Sequence, residues 1–286
     1  MLPGPRRSLA RRFRKAHGYY PDLFEPRSLS EKVQWIKLHC DLSPLVPYVD
    51  KFEVRQFVRR RIGEDYLVPL IGLYDRFDAI DVARLPSAFA MKATHGCGWN
   101  ILVPGASSVD WEDTQRRMET WLTTDYSRLG GENCYRAMKR RILIEEFLRD
   151  PCGDLRDYKF YCCEGEPLGA HVDIDRFGDH QYRVFDAAWR EFEKADPRTA
   201  AKVPPVPRPE KLQEMLEICR ALSQGFPYVR VDLYYTGGRI FFGELTFTPG
   251  NGFSSFDPVE SDYYFGAPFE VRKYLRRPYV QAEHLV

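Results

Sequence analysis

The hydrophobic and polar positions of this chain follow a helical period up to about residue 60 and a mostly two-residue period from Asp157 onward. Ser28 stands three positions before Glu31, the form of a capping box, and Val33, Trp35, Ile36 and Leu38 follow as apolar positions of that helix. Residues 46–61 read as a second helix, with Val54, Phe57 and Val58 on one face and Arg55, Arg59 and Arg60 on the other. Strands and helices then mix. Residues 66–72 are extended, Phe89–Ala93 is a strand, His95-Gly96-Cys97-Gly98 a turn, and 100–103 a return strand. A helix over 110–127 turns Trp111, Met118, Trp121 and Leu122 inward, and the apolar run 141–148 is ended by Pro151.

Beyond Asp157, strands over 158–163 and 167–173 flank a Glu164-Gly165-Glu166 turn, and a third strand lies at 182–185. A Pro-rich loop at 204–209 precedes an amphipathic helix over 212–224, with Leu212, Met215, Leu216, Cys219 and Leu222 inward. Residues 228–235 and 239–245 form a hairpin around Gly237-Gly238. There is no internal repeat. The mixture predicts an α+β fold with two sheets and helices packed on them.

Charge narrows the function. With 42 basic and 41 acidic residues the net charge is +1, which excludes a whole-protein field that captures nucleic acid. Arg6, Arg7, Arg11, Arg12, Arg14 and Lys15 are a local exception. A solvated helix face is the plain reading of them; weak contact with a membrane surface or an anionic substrate is the alternative. The 286 residues include seven cysteines, an odd number, with no CxxC pair and no secretory apolar segment before them. Reduced thiols in a cytoplasmic protein follow. No apolar run approaches the ~18 residues that span a membrane.

Several groups of residues carry candidate chemistry. On a strand, Arg230 and Asp232 share a face, and closing the hairpin brings Asp232 toward Glu244. Two converging carboxylates repel unless a cation lies between them, and hard oxygen ligands suit Mg²⁺. An exposed salt bridge is the competing reading. Lys92, ahead of the Gly96/Gly98 turn, can place an ammonium on a phosphate; a hairpin turn after a snorkelling Lys is equally common. Asp173 and Asp175 form an Asp-x-Asp, the pattern with which glycosyltransferases hold Mn²⁺ and a nucleotide sugar.

Taken in order, Phe89-Ala90-Met91-Lys92, His95-Gly96-Cys97-Gly98, Ile144-Glu145-Glu146-Phe147-Leu148, Asp157-Tyr158-Lys159-Phe160, Arg230-Val231-Asp232 and Glu244 through Gly252 resemble the ATP-grasp superfamily. Ser30-Glu31-Lys32-Val33-Gln34-Trp35, then Asp50-Lys51 with Arg55, resemble its TupA-like branch, associated with teichuronopeptide and capsular polysaccharide synthesis. The resemblance implies two lobes with antiparallel sheets clamping ATP. Residues 1–60 would be an N-terminal helical segment, 61–148 the small lobe, and 149–286 the large lobe with the metal site. It implies that Lys92 and Lys159 contact phosphates, that the loop with His95, Gly96 and Gly98 closes over them, and that Glu145, Glu146, Phe147 and Leu148 form the adenine hinge. Asp232 and Glu244 would bind Mg²⁺. Where many members have Glu-x-Asn this chain has Glu244-Leu245-Thr246, so Thr246, Asn251 or water is the third ligand. Arg230 would stabilise the transferring phosphoryl group or the oxyanion, Lys92 would act beside it on the phosphates, and the Gly250-Asn251-Gly252 amides would add an oxyanion site.

The implied reaction is carboxylate activation. ATP phosphorylates a small-molecule or glycan carboxylate, an amine attacks the acyl phosphate, and an amide and phosphate leave. The rivals are a glycosyltransferase built on Asp173 and Asp175, an ATP-grasp kinase, and a non-catalytic binding module.

Overall fold

The computed structural model describes residues 4–105, 109–151, 153, 155–175, 178–275 and 279–280. In chain order the elements are α1 (Gly4–His17), α2 (Leu29–His39), α3 (Val46–Val49), α4 (Val54–Ile62), β1 (Leu70–Tyr74), β2 (Phe89–Ala93), β3 (Asn100–Val103), α5 (Trp111–Thr123), α6 (Ser127–Gly130), β4 (Ile142–Glu146), β5 (Asp157–Cys163), β6 (Glu166–Ile174), β7 (Gln181–Asp186), α7 (Pro197–Ala200), α8 (Leu212–Ser223), β8 (Tyr228–Thr236), β9 (Arg239–Thr246) and α9 (Val259–Gly266). They form two sheets, ordered β1-β4-β2-β3 and β7-β6-β5-β8-β9. The chain divides into two compact units. The first comprises Met1–Leu42, Arg156–Leu233 and Thr246–Val286; the second comprises Ser43–Leu155 and Tyr234–Leu245.

In the second unit the four-stranded sheet is antiparallel throughout, with Ala90 opposite Glu145, Met91 opposite Ile144 and Lys92 opposite Leu143. Period two sorts the faces. Phe89, Met91, Ala93, Ile142 and Ile144 join Met118 and Trp121 of α5 in a buried core. Each large side chain there contributes about 1.5–3 kcal/mol by burial. The alternate positions Ala90, Lys92, Leu143 and Glu145 lie on the other face. Asp110 caps α5 by accepting from the Asp113 N–H at 2.9 Å.

The single helix expected over 46–61 is two helices. Asp50 interrupts it: its Oδ1 accepts from the backbone N–H groups of Phe52 and Glu53 at 2.8 and 3.0 Å, and its own backbone is extended. A short Asp side chain that captures nearby amides offers the backbone a turn in place of helix. The extended segment expected from 66 starts later, at Leu70, and Leu67 instead makes an isolated parallel bridge with Phe242.

In the first unit, β5 and β6 pair Asp157 with Asp173 and Lys159 with His171. Next to them, β6 and β7 pair Asp173 with Tyr182 and His171 with Val184. All seven residues of β5 are buried. Helix α8 packs on β5 and β6 with Leu212, Met215, Leu216, Cys219 and Leu222 buried, as its period predicts. Helix α2 carries the expected capping box, Glu31 N–H to Ser28 Oγ at 3.2 Å and Ser28 N–H to Glu31 Oε2 at 3.1 Å. Between β8 and β9, Gly237 and Gly238 both have positive φ, +57° and +71°, the two-residue hairpin geometry that glycine supplies without strain. The fold is α+β. The six described cysteines are free thiols, and Cys152 lies outside the described residues. Among the described residues no helix is long and apolar enough to cross a membrane.

Candidate active site

The first unit gathers charge on β5, β6 and β8. Lys159 Nζ bonds Asp157 and lies 2.9 Å from Asp173 Oδ2 and 3.6 Å from Asp232 Oδ2. Arg230 donates Nε and Nη2 to the two oxygens of Asp232 at 2.7 and 2.6 Å, and Nη2 also reaches Thr246 Oγ1 at 3.1 Å. That is a bidentate, charge-assisted pair. Asp173 Oδ1 is 3.0 Å from both His171 Nε2 and His180 Nε2. Asp157, Lys159, Asp173, Arg230 and Asp232 are all under a tenth exposed. Charges so buried persist because they satisfy one another.

Three carboxylates thus face two permanent cations. Burial lowers the pKa of His171 and favours its neutral form. Burial also resists ionisation of Asp173, but the His171 hydrogen bond and the Lys159 charge outweigh it and hold this carboxyl well below its ordinary range. Lys159 is the mirror case: burial works against its charge, while Asp157 and Asp232 overcome burial and raise its pKa. Among these five residues the carboxylates outnumber the cations by one. Asp232 and Thr246 are oxygen donors of the kind Mg²⁺ takes, and in this structure Arg230 holds both Asp232 oxygens and the Thr246 hydroxyl. Among the described residues no group of three or more His, Cys, Asp or Glu could hold a metal ion by itself. A Mg²⁺ that keeps waters and borrows phosphate oxygens needs no such cage.

The second unit holds a simpler pair. Lys92 of β2 bonds Glu145 of β4, and Arg55 Nη1 approaches the same carboxylate at 4.0 Å. Glu145 is 6% exposed and its backbone is paired on both sides, with Leu70 and with Ala90. The backbone of Glu146 is likewise engaged, opposite Phe89 and donating to Pro69 O at 3.0 Å. Of the four hinge residues expected from sequence, Glu145 and Glu146 lie in the strand and Phe147 and Leu148 just beyond it. The backbones of Glu145 and Glu146 are engaged because β4 is a central strand.

His95 also differs from expectation. It is 2% exposed, and its Nε2 lies 2.9 Å from Trp121 O, so the ring anchors the loop to α5. Burial lowers its pKa. Gly96 is required sterically, since a Cβ would come within 2.6 Å of the Trp99 ring, and Gly98 has φ +73°. Lys51 donates its Nζ to Gly96 O and its backbone N–H to Thr94 O. Arg141 ties Glu53 at 2.7 Å and Asp50 at 3.4 Å. The Asp50-Lys51 and Arg55 motif is therefore the brace of this loop and of Glu145.

Asn251 sits in a tight loop of three left-handed residues, Gly250, Asn251 and Gly252 at φ +54°, +56° and +69°. Its N–H is spent on Thr248 O at 2.8 Å, so it is not available to an oxyanion. The Asp-x-Asp pair separates: Asp173 is buried in the cluster, while Asp175 is exposed, has φ +46°, and accepts from Asp179 N–H at 2.9 Å. The two carboxylates do not present a joint chelate. Sequence reasoning gave no role in this cluster to His171, His180 or Asp157; the cross-strand register that joins Asp157 to Asp173 is the signal that finds them.

Two antiparallel sheets with this order of charged strands and glycine loop define an ATP-grasp protein. A family model described as TupA-like ATP-grasp matches residues 31–270, and the chain belongs to that family. No curated protein matches it. Solved structures similar in fold include the D-alanine–D-alanine ligase of Bacillus anthracis complexed with ATP, at 10% identity and a TM-score of 0.46, covering 90% of this chain and 75% of that one. The L-amino acid ligase of Bacillus licheniformis aligns at 13% identity and a TM-score of 0.48, covering 87% of this chain and 56% of that one. The D-alanine–D-alanine ligase of Helicobacter pylori aligns at 13% identity and a TM-score of 0.42, covering 85% and 68%.

Proposed function

We propose that this protein is an ATP- and Mg²⁺-dependent carboxylate–amine ligase that forms an amide through an acyl phosphate. Its substrate would be a sugar acid or amino acid, in surface-polysaccharide or related biosynthesis in the cytoplasm. The observation that carries this reading is the buried cluster of Asp157, Lys159, Asp173, Arg230 and Asp232 beside Thr246, in a chain of the TupA-like ATP-grasp family.

Acyl phosphate formation needs positioned phosphates and neutralised charge more than covalent help from the protein. Asp232 and Glu244 would hold Mg²⁺, with Thr246 or water as a further ligand, since Lys37 already holds the Asn251 side-chain oxygen. Bound there, the ion neutralises phosphate charge and polarises the transferred group. The planar Arg230 fork is matched to phosphoryl oxygens as well as to Asp232. Lys92 exchanges Glu145 for a phosphate oxygen, the Gly96–Gly98 loop covers the phosphates, and Phe147 and Leu148 offer backbone groups to adenine.

The test is incubation with MgATP and a panel of amino acids and uronic acids, each with and without added amines. The reading requires ADP together with an amide detected by mass spectrometry. It also requires transfer of ¹⁸O from a labelled carboxylate to the released phosphate. A stable phosphoester with no amide would make the protein a kinase, and UDP release from a UDP-sugar would make it a glycosyltransferase.

A further inference from the structure

Helix α2 carries four polar residues, Ser30, Glu31, Lys32 and Gln34, that the nucleotide chemistry leaves unused. All of them are buried. Ser30 N–H donates to Asp262 at 2.9 Å, Glu31 closes the capping box, and Lys32 Nζ donates to Gly266 O at 2.7 Å. These three fasten α2 to its surroundings and to α9. Gln34 does something else. It is fully buried, and its Nε2 donates to the carbonyls of both Asn251 and Gly252, at 2.8 and 3.0 Å. One turn on, Lys37 Nζ donates to Asn251 O at 3.2 Å, bonds Asn251 Oδ1, and lies 3.3 Å from Gln34 Oε1. From α1, His17 Nε2 lies 3.1 Å from Gly252 O, and the Arg12 guanidinium stands 4.1 Å from the centre of the Phe253 ring.

These donors converge on the three left-handed residues. Asn is one of the few L-residues that adopt this conformation, and a run of three such residues persists where the surroundings over-determine it. Here the carbonyls of Asn251 and Gly252 turn toward α1 and α2 and are captured there. The fit is close: a Cβ on Gly252 would lie 2.5 Å from Gln34 Nε2 and 3.0 Å from Ser30 O.

We infer that Gln34, with Lys37 and His17, is a positioning residue for catalysis. It fixes the Gly250–Gly252 loop and sets the direction of Asn251, so the N-terminal helices are a working part of the site and not an appendage to it. The inference rests on the ligase reading, in which this loop follows the metal-binding strand.

The experiment compares wild type with Gln34→Leu, Lys37→Met, Lys37→Arg and Lys32→Met. It measures ATP affinity by calorimetry with Mg²⁺, thermal stability, and kcat and KM for ADP release from MgATP with a mixture of the common amino acids. Gln34→Leu and Lys37→Met should lower kcat about 10- to 100-fold, the scale of a small misplacement, with KM for ATP changed less than about threefold. Lys37→Arg should restore most of kcat. Lys32→Met, which breaks only the Gly266 contact, should lower the melting temperature and leave kcat near wild type. Unchanged kcat in Gln34→Leu and Lys37→Met, or an equal kcat loss in Lys32→Met, overturns the positioning role. A wild-type protein that binds no ATP overturns the ligase reading itself, and that is seen before any variant is compared.

Discussion

Lys159 and Lys92 each sit on a strand and each meets a carboxylate, yet they occupy opposite electrostatic conditions. Lys159 has three aspartates within 3.6 Å and a side chain 11% exposed. Among the described residues Lys92 pairs with Glu145, which Arg55 shares, and its side chain is 20% exposed. The first lysine is committed before any ligand arrives, and its work is to keep buried carboxylates charged and in place. Among the described residues the second has a single counter-ion, which the proposed ligase would exchange for a phosphate. A preorganised cluster and an exchangeable pair are the two things phosphoryl chemistry asks for, a fixed field and a movable contact.

The comparison breaks most visibly at Lys159. Lys159→Met removes the cation that Asp157, Asp173 and Asp232 share, and breaking a buried pair in this way should cost about 3–5 kcal/mol. Lys92→Met leaves Glu145 near Arg55 and should cost only about 1–2 kcal/mol. Urea unfolding of the two variants measures the gap, and equal losses would erase the distinction. Next in size is turnover. Asp232→Asn and Glu244→Gln should each lower ADP-forming turnover about 10²-fold or more, with partial rescue by raised Mg²⁺. Lys92→Met should instead act mainly on ATP affinity, which calorimetry separates from kcat.

A smaller effect compares two glycines. Gly98 and Gly252 both have φ near +70°, but a Cβ at Gly98 meets open space while one at Gly252 meets Gln34 and Ser30. Gly98→Ala should cost about 1–2 kcal/mol for its backbone alone, and Gly252→Ala more, both read from thermal melts.

The smallest effect is in pH. The folded pKa of Asp173 is lowered, so its stabilising contribution is present above the unfolded value of about 3.9 and is lost as pH falls through the folded value. For Lys159 the folded pKa is raised, so its contribution is present below about 10.4 and is lost as pH rises through the folded value. The stability gap between wild type and Asp173→Asn should be flat from about pH 5 to 9 and shrink in acid below about pH 4. A gap that changes near neutrality would show that a histidine dominates the cluster instead.

Much of this was legible in the sequence where the information is local. The alternation of Phe89, Met91 and Ala93 with Ala90 and Lys92 gave β2 and its two faces, and Ser28 with Glu31 gave the start of α2. Pairing was less legible, because it depends on strand order. Glu145 reads as a hinge residue until β4 is found between β1 and β2, with its backbone taken on both sides. Asp157 and Asp173 read as separate charges until the β5–β6 register sets them opposite each other. Asp50 breaks a helix that apolar spacing alone runs straight through. The hold of Gln34 on the 250–252 loop joins residues more than 200 positions apart and has no local trace at all.

The central claim is that the Asp232 cluster serves ATP and not a nucleotide sugar. Calorimetric titration of the wild-type protein with ATP and with UDP-glucose, each in the presence of Mg²⁺, tests it most directly. The account predicts saturable ATP binding that weakens when Mg²⁺ is chelated, with no heat from UDP-glucose. Saturable UDP-glucose binding without ATP binding would contradict it.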